Sequence, residues 1–428
     1  MSFRTRWRLY EHVRNSIWIV PALFSAVAIA LGIFVPHADE AHLETIGISY
    51  GSSAAQGILG AIAGGMITFT GFVFSILLLA VQFGSSQFSP RMLRRFLRDP
   101  TTKVSLGLFM ATFLYALLVL RTLGPSGKSD FVPDYSVSLS LILLLLSMMV
   151  FLRLISRTTQ GLRVASVLRD LGKDGAEMLD QTYPDPESAP DGRASLPEPA
   201  PGTEARTVTY EDEAGVLQSI DRHGLVRIAS RSGAVVELIP PIGDLVYPGA
   251  PLFRVLNEAD RIDDRKLRES VAVGDERTMK QDPAFLFRLL ADISSKALSP
   301  GVNDPTTSIQ ALDQIELLLR QLGSRRLTPG VGLDADGEVR LVYPAPSWDD
   351  FLSIALDETR YFGATSIQVV RRIRALLEGL HDSVPGHRRP AVEAQLARLE
   401  ASVETNFAGV AELDLAATGD RQGIGSPG

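Results

Sequence analysis

Four long apolar runs stand out in the first third of the chain, separated from one another by polar stretches. The first three contain no Asp, Glu, Lys, Arg or His, and the fourth ends at the first charge, Arg153. A helix needs about 20 apolar residues to cross a hydrocarbon core. The pattern predicts four transmembrane helices within a membrane domain of residues 17–179. They are Ile17–Val35, Ala54–Phe83, Val104–Leu120 and Val137–Leu152.

The basic residues indicate how these helices are oriented. Arg and Lys are concentrated before the first run, between the second and third, and after the fourth, whereas residues 36–53 contain neither. Because cytoplasmic loops carry the excess of Arg and Lys, we expect a basic cytoplasmic N-terminus at residues 1–16 and a cytoplasmic C-terminus. The protein is then a multi-pass component of a bacterial cytoplasmic (inner) membrane, with the lipid bilayer as its first partner.

A short amphipathic helix is predicted at residues 89–99, SPRMLRRFLRD, between the second and third runs. Its apolar residues share one face and its arginines cover the rest, as in helices that lie at the headgroup level. The arginines could serve topology and lipid contact, or they could form a basic gate. They are Arg91, Arg94, Arg95 and Arg98.

The remaining two thirds of the chain contain no further run of this kind, so we expect a cytoplasmic α+β region there. Residues 180–213 are acidic and proline-rich, which predicts a linker or loop. Residues 214–258 alternate β-branched runs with Gly and Pro turns, which predicts a small β-domain. Within it, VVELIPPIGDLVYPGAPLFRV resembles the hairpin of biotinyl- and lipoyl-type sandwich barrels, without an evident acceptor lysine. We expect a helical domain with one hairpin at 259–415 and a disordered tail at 416–428.

Helix starts in the helical domain are marked by their capping residues. Two Asp-Pro pairs predict helices at Pro283–Ala297 and Pro305–Leu322, because Asp caps the helix and Pro suits its first turn. Ser347 and Asp350 match a capping box that would open a long helix from Trp348 to Leu380.

The second apolar run carries a stripe of small and polar residues at steps of three, four or seven. Such spacing places them on one helical face. The stripe could be a seam where helices pack closely, or the lining of a path through the membrane. Its members are Gly57, Gly60, Gly64, Thr68, Gly71, Ser75 and Gln82.

The amino-acid composition excludes several kinds of functional site. The chain of 428 residues has no cysteine, so disulfides, thiolate metal sites and cysteine nucleophiles are excluded. A net charge of -7 gives no reason to expect nucleic acid as a partner. No catalytic motif is present, and we predict neither an enzyme nor a cofactor. His37 and His42, with neighbouring acidic residues, could hold a metal ion, but a solvated loop is the better interpretation.

The most distinctive soluble stretch is ALSPGVNDPTTSIQALDQIE, residues 297–316. It predicts a tight connection between two helices. Backbone amides at the start of the second helix could receive an anion, but Asp304 itself could satisfy them as the cap, which is the reading we favour. The candidate residues are Asn303, Asp304, Thr306 and Thr307.

Together with TGFVFSILLLAVQFGSSQFSPRMLRRFLRD, this stretch resembles a bacterial family of predicted membrane proteins catalogued as domain of unknown function 2254. The resemblance implies a multi-span membrane protein with a soluble C-terminal part and no known activity. Two hypotheses remain. One is a homo-oligomeric channel or passive transporter with a cytoplasmic regulatory domain. The other is a membrane-anchored scaffold or sensor whose spans only pack and anchor.

Overall fold

The structure is a computed structural model that describes residues 2–41, 49–87, 99–123, 132–161, 163–183, 205–257, 262–327, 330–407 and 409–424. It divides into two compact units. Glu11–Ser166 form one, which we call the membrane unit. Met1–Tyr10 and Val167–Gly428 form the other, which we call the soluble unit after the expectation drawn from the sequence. Helix α1 (Phe3–Asn15) contributes residues to both.

The membrane unit contains four helices that are long and apolar enough to cross a membrane, as the sequence predicts. Each begins or ends some residues beyond its apolar run, because polar residues at the ends continue the helix. They are α2 (Ile19–Ala41), α3 (Ser52–Gln87), α4 (Pro100–Thr122) and α5 (Asp134–Gly161).

Helix α4 is the centre of the membrane unit. In its most apolar stretch 56% of the residues are buried, compared with 22% in α2, 22% in α3 and 17% in α5. Two glycines allow α2 and α4 to approach closely. A Cβ at Gly32 would lie 2.8 Å from Cβ of Leu118, and one at Gly107 would lie 3.0 Å from Cγ of Phe24. The close seam among the described helices of this unit is therefore between α2 and α4.

Asp99, the last residue of the predicted amphipathic helix 89–99, caps α4, since its Oδ1 accepts a hydrogen bond of 3.0 Å from the backbone N–H of Thr101. The rest of that predicted helix, with Arg91, Arg94, Arg95 and Arg98, lies outside the described residues.

The soluble unit includes most of α6 (Val164–Thr182) and contains two sheets. The strands are β1 (Arg206–Thr209), β2 (Gly215–Ile220), β3 (Val235–Leu238), β4 (Leu245–Val246), β5 (Pro251–Leu256), β6 (Val271–Gly274), β7 (Gly330–Leu333) and β8 (Val339–Tyr343). The first sheet has the strand order β1-β5-β3-β8-β7, in which β3 and β8 are parallel and the other pairs antiparallel. The second sheet has the order β4-β2-β6 and is antiparallel.

The small β-domain exists, but the predicted barrel is not confirmed. Its strands are divided between two sheets, and one sheet is completed by the β7–β8 hairpin from the predicted helical domain. Strand β1 falls inside the predicted linker 180–213, where Val208 and the adjoining Tyr210 are buried. A helix, α7 (Arg222–Ser232), interrupts the predicted strands because Asp221 caps its start and Gly233, at φ 73°, ends it.

The helices after the β-domain are α8 (Asp264–Arg268), α9 (Pro283–Ala297), α10 (Pro305–Gly323), α11 (Trp348–Phe362), α12 (Ile367–Ser383), α13 (Arg389–Asn406) and α14 (Val410–Ala417). The starts of α9 and α10 agree with the Asp-Pro prediction, and Ser347 and Asp350 form the capping box of α11.

Two predictions about the helical domain are wrong. The long helix 348–380 is two helices, because α11 ends at Phe362 and α12 begins at Ile367. The tail was predicted to be disordered, yet Ala416 is fully buried and the N–H of Asp420 donates to the carbonyl of Arg371 at 3.2 Å.

Candidate functional site

The stripe on α3 faces away from the other described helices of its own unit. All seven of its residues are exposed. A Cβ added at Gly57, Gly60, Gly64 or Gly71 would meet no atom within 4 Å. The buried side chains of α3 lie on the opposite face, where Leu59, Ile62, Met66 and Val73 join the hydrophobic core. Within the described chain the stripe is therefore not a packing seam.

Large apolar residues stand on both sides of the stripe. Ile67, Phe72, Leu78 and Leu79 are each more than half exposed. The small residues consequently form a shallow groove along the helix surface, and bulky side chains flank it on both sides.

The two hydroxyl groups of the stripe bond back to their own helix. Thr68 Oγ1 donates to the carbonyl oxygen of Gly64 at 3.1 Å, and Ser75 Oγ donates to that of Gly71 at 3.0 Å. Each hydroxyl oxygen keeps its lone pairs and can still accept a hydrogen bond from a passing molecule or another helix.

Asp39 holds two spans of the membrane unit together. It is one of the acidic residues near His37 and His42 for which the sequence favours a solvated loop. Helix α2 instead continues through Pro36, and the buried Oδ2 of Asp39 accepts hydrogen bonds from Ser136 N (3.0 Å) and Ser136 Oγ (2.7 Å) at the start of α5. The described residues contain no cluster of His and carboxylate side chains that could hold a metal ion. His42 and Glu44 lie outside the described residues.

The candidate anion site at the start of α10 is satisfied internally. Asp304 Oδ1 accepts from the backbone N–H of Thr307 at 3.1 Å, and Oδ2 accepts from its hydroxyl at 2.6 Å. Asn303 adopts a positive φ of 46°, which makes the tight connection possible. Thr306 is exposed. Asp304 therefore acts as the N-cap of α10, and the pattern of these four residues is explained by the helix start rather than by an anion.

A pocket of about 410 Å³ lies inside the soluble unit, and the sequence did not indicate it. Its polar side chains come from distant parts of the chain. Tyr183 follows α6, Arg222 opens α7, Arg277 and Asp282 precede α9, and Tyr343 ends β8. Among the lining residues, Asp282 and Asp350 are predicted from the sequence, both as helix caps. No local spacing relates the others, so the pocket exists only after the sheets and helices have assembled.

One arginine of the pocket is fully engaged with an aspartate. Arg277 donates from Nε and Nη2 to Oδ2 of Asp282, at 2.9 and 2.7 Å. The other oxygen of Asp282 caps α9 by accepting from Phe285 N at 3.1 Å. Burial raises the pKa of Asp282, and Arg277 opposes that rise. The backbone at Gly243, which has a φ of 100°, packs directly against the Arg277 guanidinium. A Cβ at this position would lie 2.6 Å from Arg277 Nε.

The second arginine has no acceptor among the described residues. Arg222 Nε is buried without a hydrogen-bond partner, and its guanidinium lies 4.7 Å from the centre of the Tyr343 ring. Burial raises the pKa of both Tyr183 and Tyr343, so both phenols are neutral near pH 7. The pocket thus offers a cation and two phenol groups.

Comparisons with known proteins agree with the resemblance found in the sequence. The profile of a family described as predicted membrane protein (DUF2254) matches residues 14–379. Uncharacterised proteins of Mycobacterium bovis and Mycobacterium tuberculosis are each 28% identical over 422 residues, which cover 94% of this chain and 79% of the relative. No solved structure matches the chain. Since the family profile spans most of the sequence and the four apolar helices fit its description, this chain belongs to the predicted membrane protein family DUF2254.

Proposed function

We propose that the protein is a homo-oligomeric channel or passive transporter of the bacterial cytoplasmic membrane. Both termini and the soluble unit lie in the cytoplasm, and the soluble unit regulates the membrane unit. The observation that carries the proposal is the exposure of the small-residue stripe on α3, which has no partner among the described residues of its own chain.

The stripe suits contact with a second copy of the chain. In lipid, exposed small residues gain nothing over large ones, whereas between two helices they let the backbones approach and pack. From Gly57 to Gln82 the stripe runs about 38 Å along the helix, which exceeds a hydrocarbon core of about 30 Å. In the proposed oligomer, the stripes of two copies face each other across the whole membrane.

The transport part of the proposal rests on the polar members of the stripe. Thr68, Ser75 and Gln82 are exposed on the face that would meet the neighbouring copy. The stripe contains no ionisable side chain, and proton or ion coupling usually requires one. We therefore propose passive permeation controlled by pore width and hydration, and we assign no catalytic step.

A membrane-anchored scaffold or sensor is the second candidate, and one observation favours it. The hydroxyls of Thr68 and Ser75 donate to carbonyls of their own helix, which is also how hydroxyls are satisfied in helices that only pack. In that case the oligomer forms but conducts nothing.

Flux through liposomes separates the two candidates. Purified protein should release K⁺, Cl⁻ or small neutral solutes from loaded vesicles, and Gly64→Leu and Gly71→Leu should change the rate at least several-fold. Gly65→Leu is the matched control, because Gly65 is equally open but lies about 100° around the helix. Vesicles that stay tight for all these solutes, with the protein oligomeric, would exclude the channel and leave the scaffold.

A further inference from the structure

The pocket of the soluble unit has the size and composition of a small-molecule site. Its volume of about 410 Å³ falls in the usual range for ligand pockets, about 300–1,000 Å³. Its apolar walls include Pro241, Ile242, Pro344, Pro346 and Ile354, and polar side chains make up about half of the residues that line it. Such sites bind the apolar body of a ligand by contact and orient it through a small number of polar groups.

Some charged side chains of the pocket have hydrogen-bond partners among the described residues and others have none. Asp282 is paired with Arg277 by two hydrogen bonds to one oxygen. Asp350 Oδ2 accepts from Ser347 N at 2.9 Å and from Ser347 Oγ at 2.7 Å. These carboxylates already have donors. Asp244 is exposed, and its carboxylate has no partner among the described residues.

Arg222 is the unsatisfied group on the inner side. Its Nε is buried and bonds to no described atom, and a buried N–H without an acceptor is destabilising. The guanidinium lies 4.7 Å from the centre of the Tyr343 ring, and a planar anion would supply the acceptor that Nε lacks. A carboxylate or phosphate can accept two parallel hydrogen bonds from such an edge.

We propose that this pocket binds a small organic anion, with its carboxylate or phosphate on Arg222 and its aromatic or apolar body against Tyr343 and the proline walls. Tyr183 lines the same pocket as a neutral phenol that can donate to the same anion. Asp244 repels the anion weakly from the outer side. The site is independent of whether the spans conduct.

Titration calorimetry on the full chain in lipid nanodiscs tests the proposal with three probes of one shape. These are 2-naphthoate, 2-naphthyl phosphate and the neutral 2-naphthamide, each corrected with empty nanodiscs. At least one anionic probe should bind about tenfold or more tightly than the amide. The ratio of naphthoate to naphthyl phosphate affinity tells a carboxylate site from a phosphate site.

Variants then assign the binding to the pocket. Arg222→Gln should weaken the anionic probe about tenfold or more, whereas Arg227→Gln, an exposed arginine of the same helix, should leave its affinity unchanged within twofold. Asp244→Asn should tighten anion binding several-fold, and it tests the site even if Arg222→Gln fails to fold. The proposal is overturned if no anionic probe binds, if the amide binds equally well, or if neither Arg222→Gln nor Asp244→Asn changes the affinity.

Discussion

Helix α3 of the membrane unit and helix α9 of the soluble unit are both rich in large apolar side chains, but they bury them very differently. On α9, Phe285, Leu286, Phe287 and Leu290 are all less than a tenth exposed. On α3, Ile67 is 55% and Phe72 is 58% exposed. Exposure to water costs about 25 cal/mol per Å² of apolar surface, whereas exposure to lipid costs almost nothing. The surface of α3 therefore needs no apolar partner, and its shape decides what it contacts.

Polar groups differ between the two units in the same way. In the soluble unit, three neighbouring arginines of α12 are buried, Arg371, Arg372 and Arg374. Arg372 reaches two carboxylates of α10. In the described part of the membrane unit, buried polar contacts between spans include one hydroxyl pair, Thr112 with Ser147, and one carboxylate, Asp39, that accepts two hydrogen bonds from Ser136. We expect that breaking a contact costs most in the soluble unit.

The largest effect is expected for Arg372→Ala. Arg372 is 3% exposed and donates to Asp313 Oδ1 at 2.9 Å and Glu316 Oε2 at 2.6 Å. Its removal leaves Glu316, whose side chain is 13% exposed, with Arg320 as its remaining ion-pair partner, so the free energy of unfolding of the soluble unit should fall by about 3 kcal/mol. Urea unfolding of the detergent-solubilised chain measures this. Arg398→Ala, whose side chain is 52% exposed, should cost less than about 1 kcal/mol. Equal losses of unfolding free energy for Arg372→Ala and Arg398→Ala would contradict the claim that the buried ion pairs contribute more to stability than the exposed one.

Asp39→Ala should have the next largest effect, and it acts in the membrane unit. Loss of the carboxylate leaves the N–H and hydroxyl of Ser136 without their acceptor at a buried position. We expect a loss of about 2 kcal/mol in an SDS titration of mixed micelles, partly restored by Asp39→Asn. Ser138→Ala removes only a 3.3 Å contact with the Tyr50 hydroxyl and should change little. If Asp39→Ala leaves the stability in the SDS titration unchanged, Asp39 does not join α2 to α5 as described.

The smallest effect is expected between Thr112 and Ser147. Their hydroxyl oxygens are 2.9 Å apart and buried between α4 and α5. A double-mutant cycle with Thr112→Val and Ser147→Ala should give a coupling of about 0.6 kcal/mol, which is typical of hydrogen bonds between membrane helices. A cycle of Thr112 with Ser140, which bonds to its own helix, should give none. A coupling of several kcal/mol would mean that polar contacts dominate the membrane unit too.

The sequence predicts well what water and backbone sterics dictate locally. Asp282 and Asp304 cap the helices that their Asp-Pro pairs predict, and Ser347 and Asp350 form the predicted box. The four apolar runs are helices because their length and composition allow little else. Helix α7 was missed since its apolar residues are few and its β-branched residues resemble those of the strands around it.

What depends on tertiary assembly could not be read from the sequence. The apolar runs of all four spans carry no charged residue, so no charge pattern shows that α4 is the most buried of them. The glycines on α3 and those at Gly32 and Gly107 look alike in sequence, yet only the latter two lie against a neighbouring helix. The pocket combines residues from 182 to 354, and that Arg222 Nε has no acceptor among the described residues is recognisable only once the surrounding structure is known.

Disulfide cross-linking of single-cysteine variants in native membranes tests the central claim, that copies of the chain meet through the α3 stripe. The chain contains no cysteine, so each new thiol has no competitor in the same chain. On mild oxidation, Gly64→Cys and Thr68→Cys should form covalent dimers, whereas Gly65→Cys, about 100° around the helix, should remain monomeric. Monomeric Gly64→Cys and Thr68→Cys, or equal cross-linking of Gly65→Cys, would contradict the account.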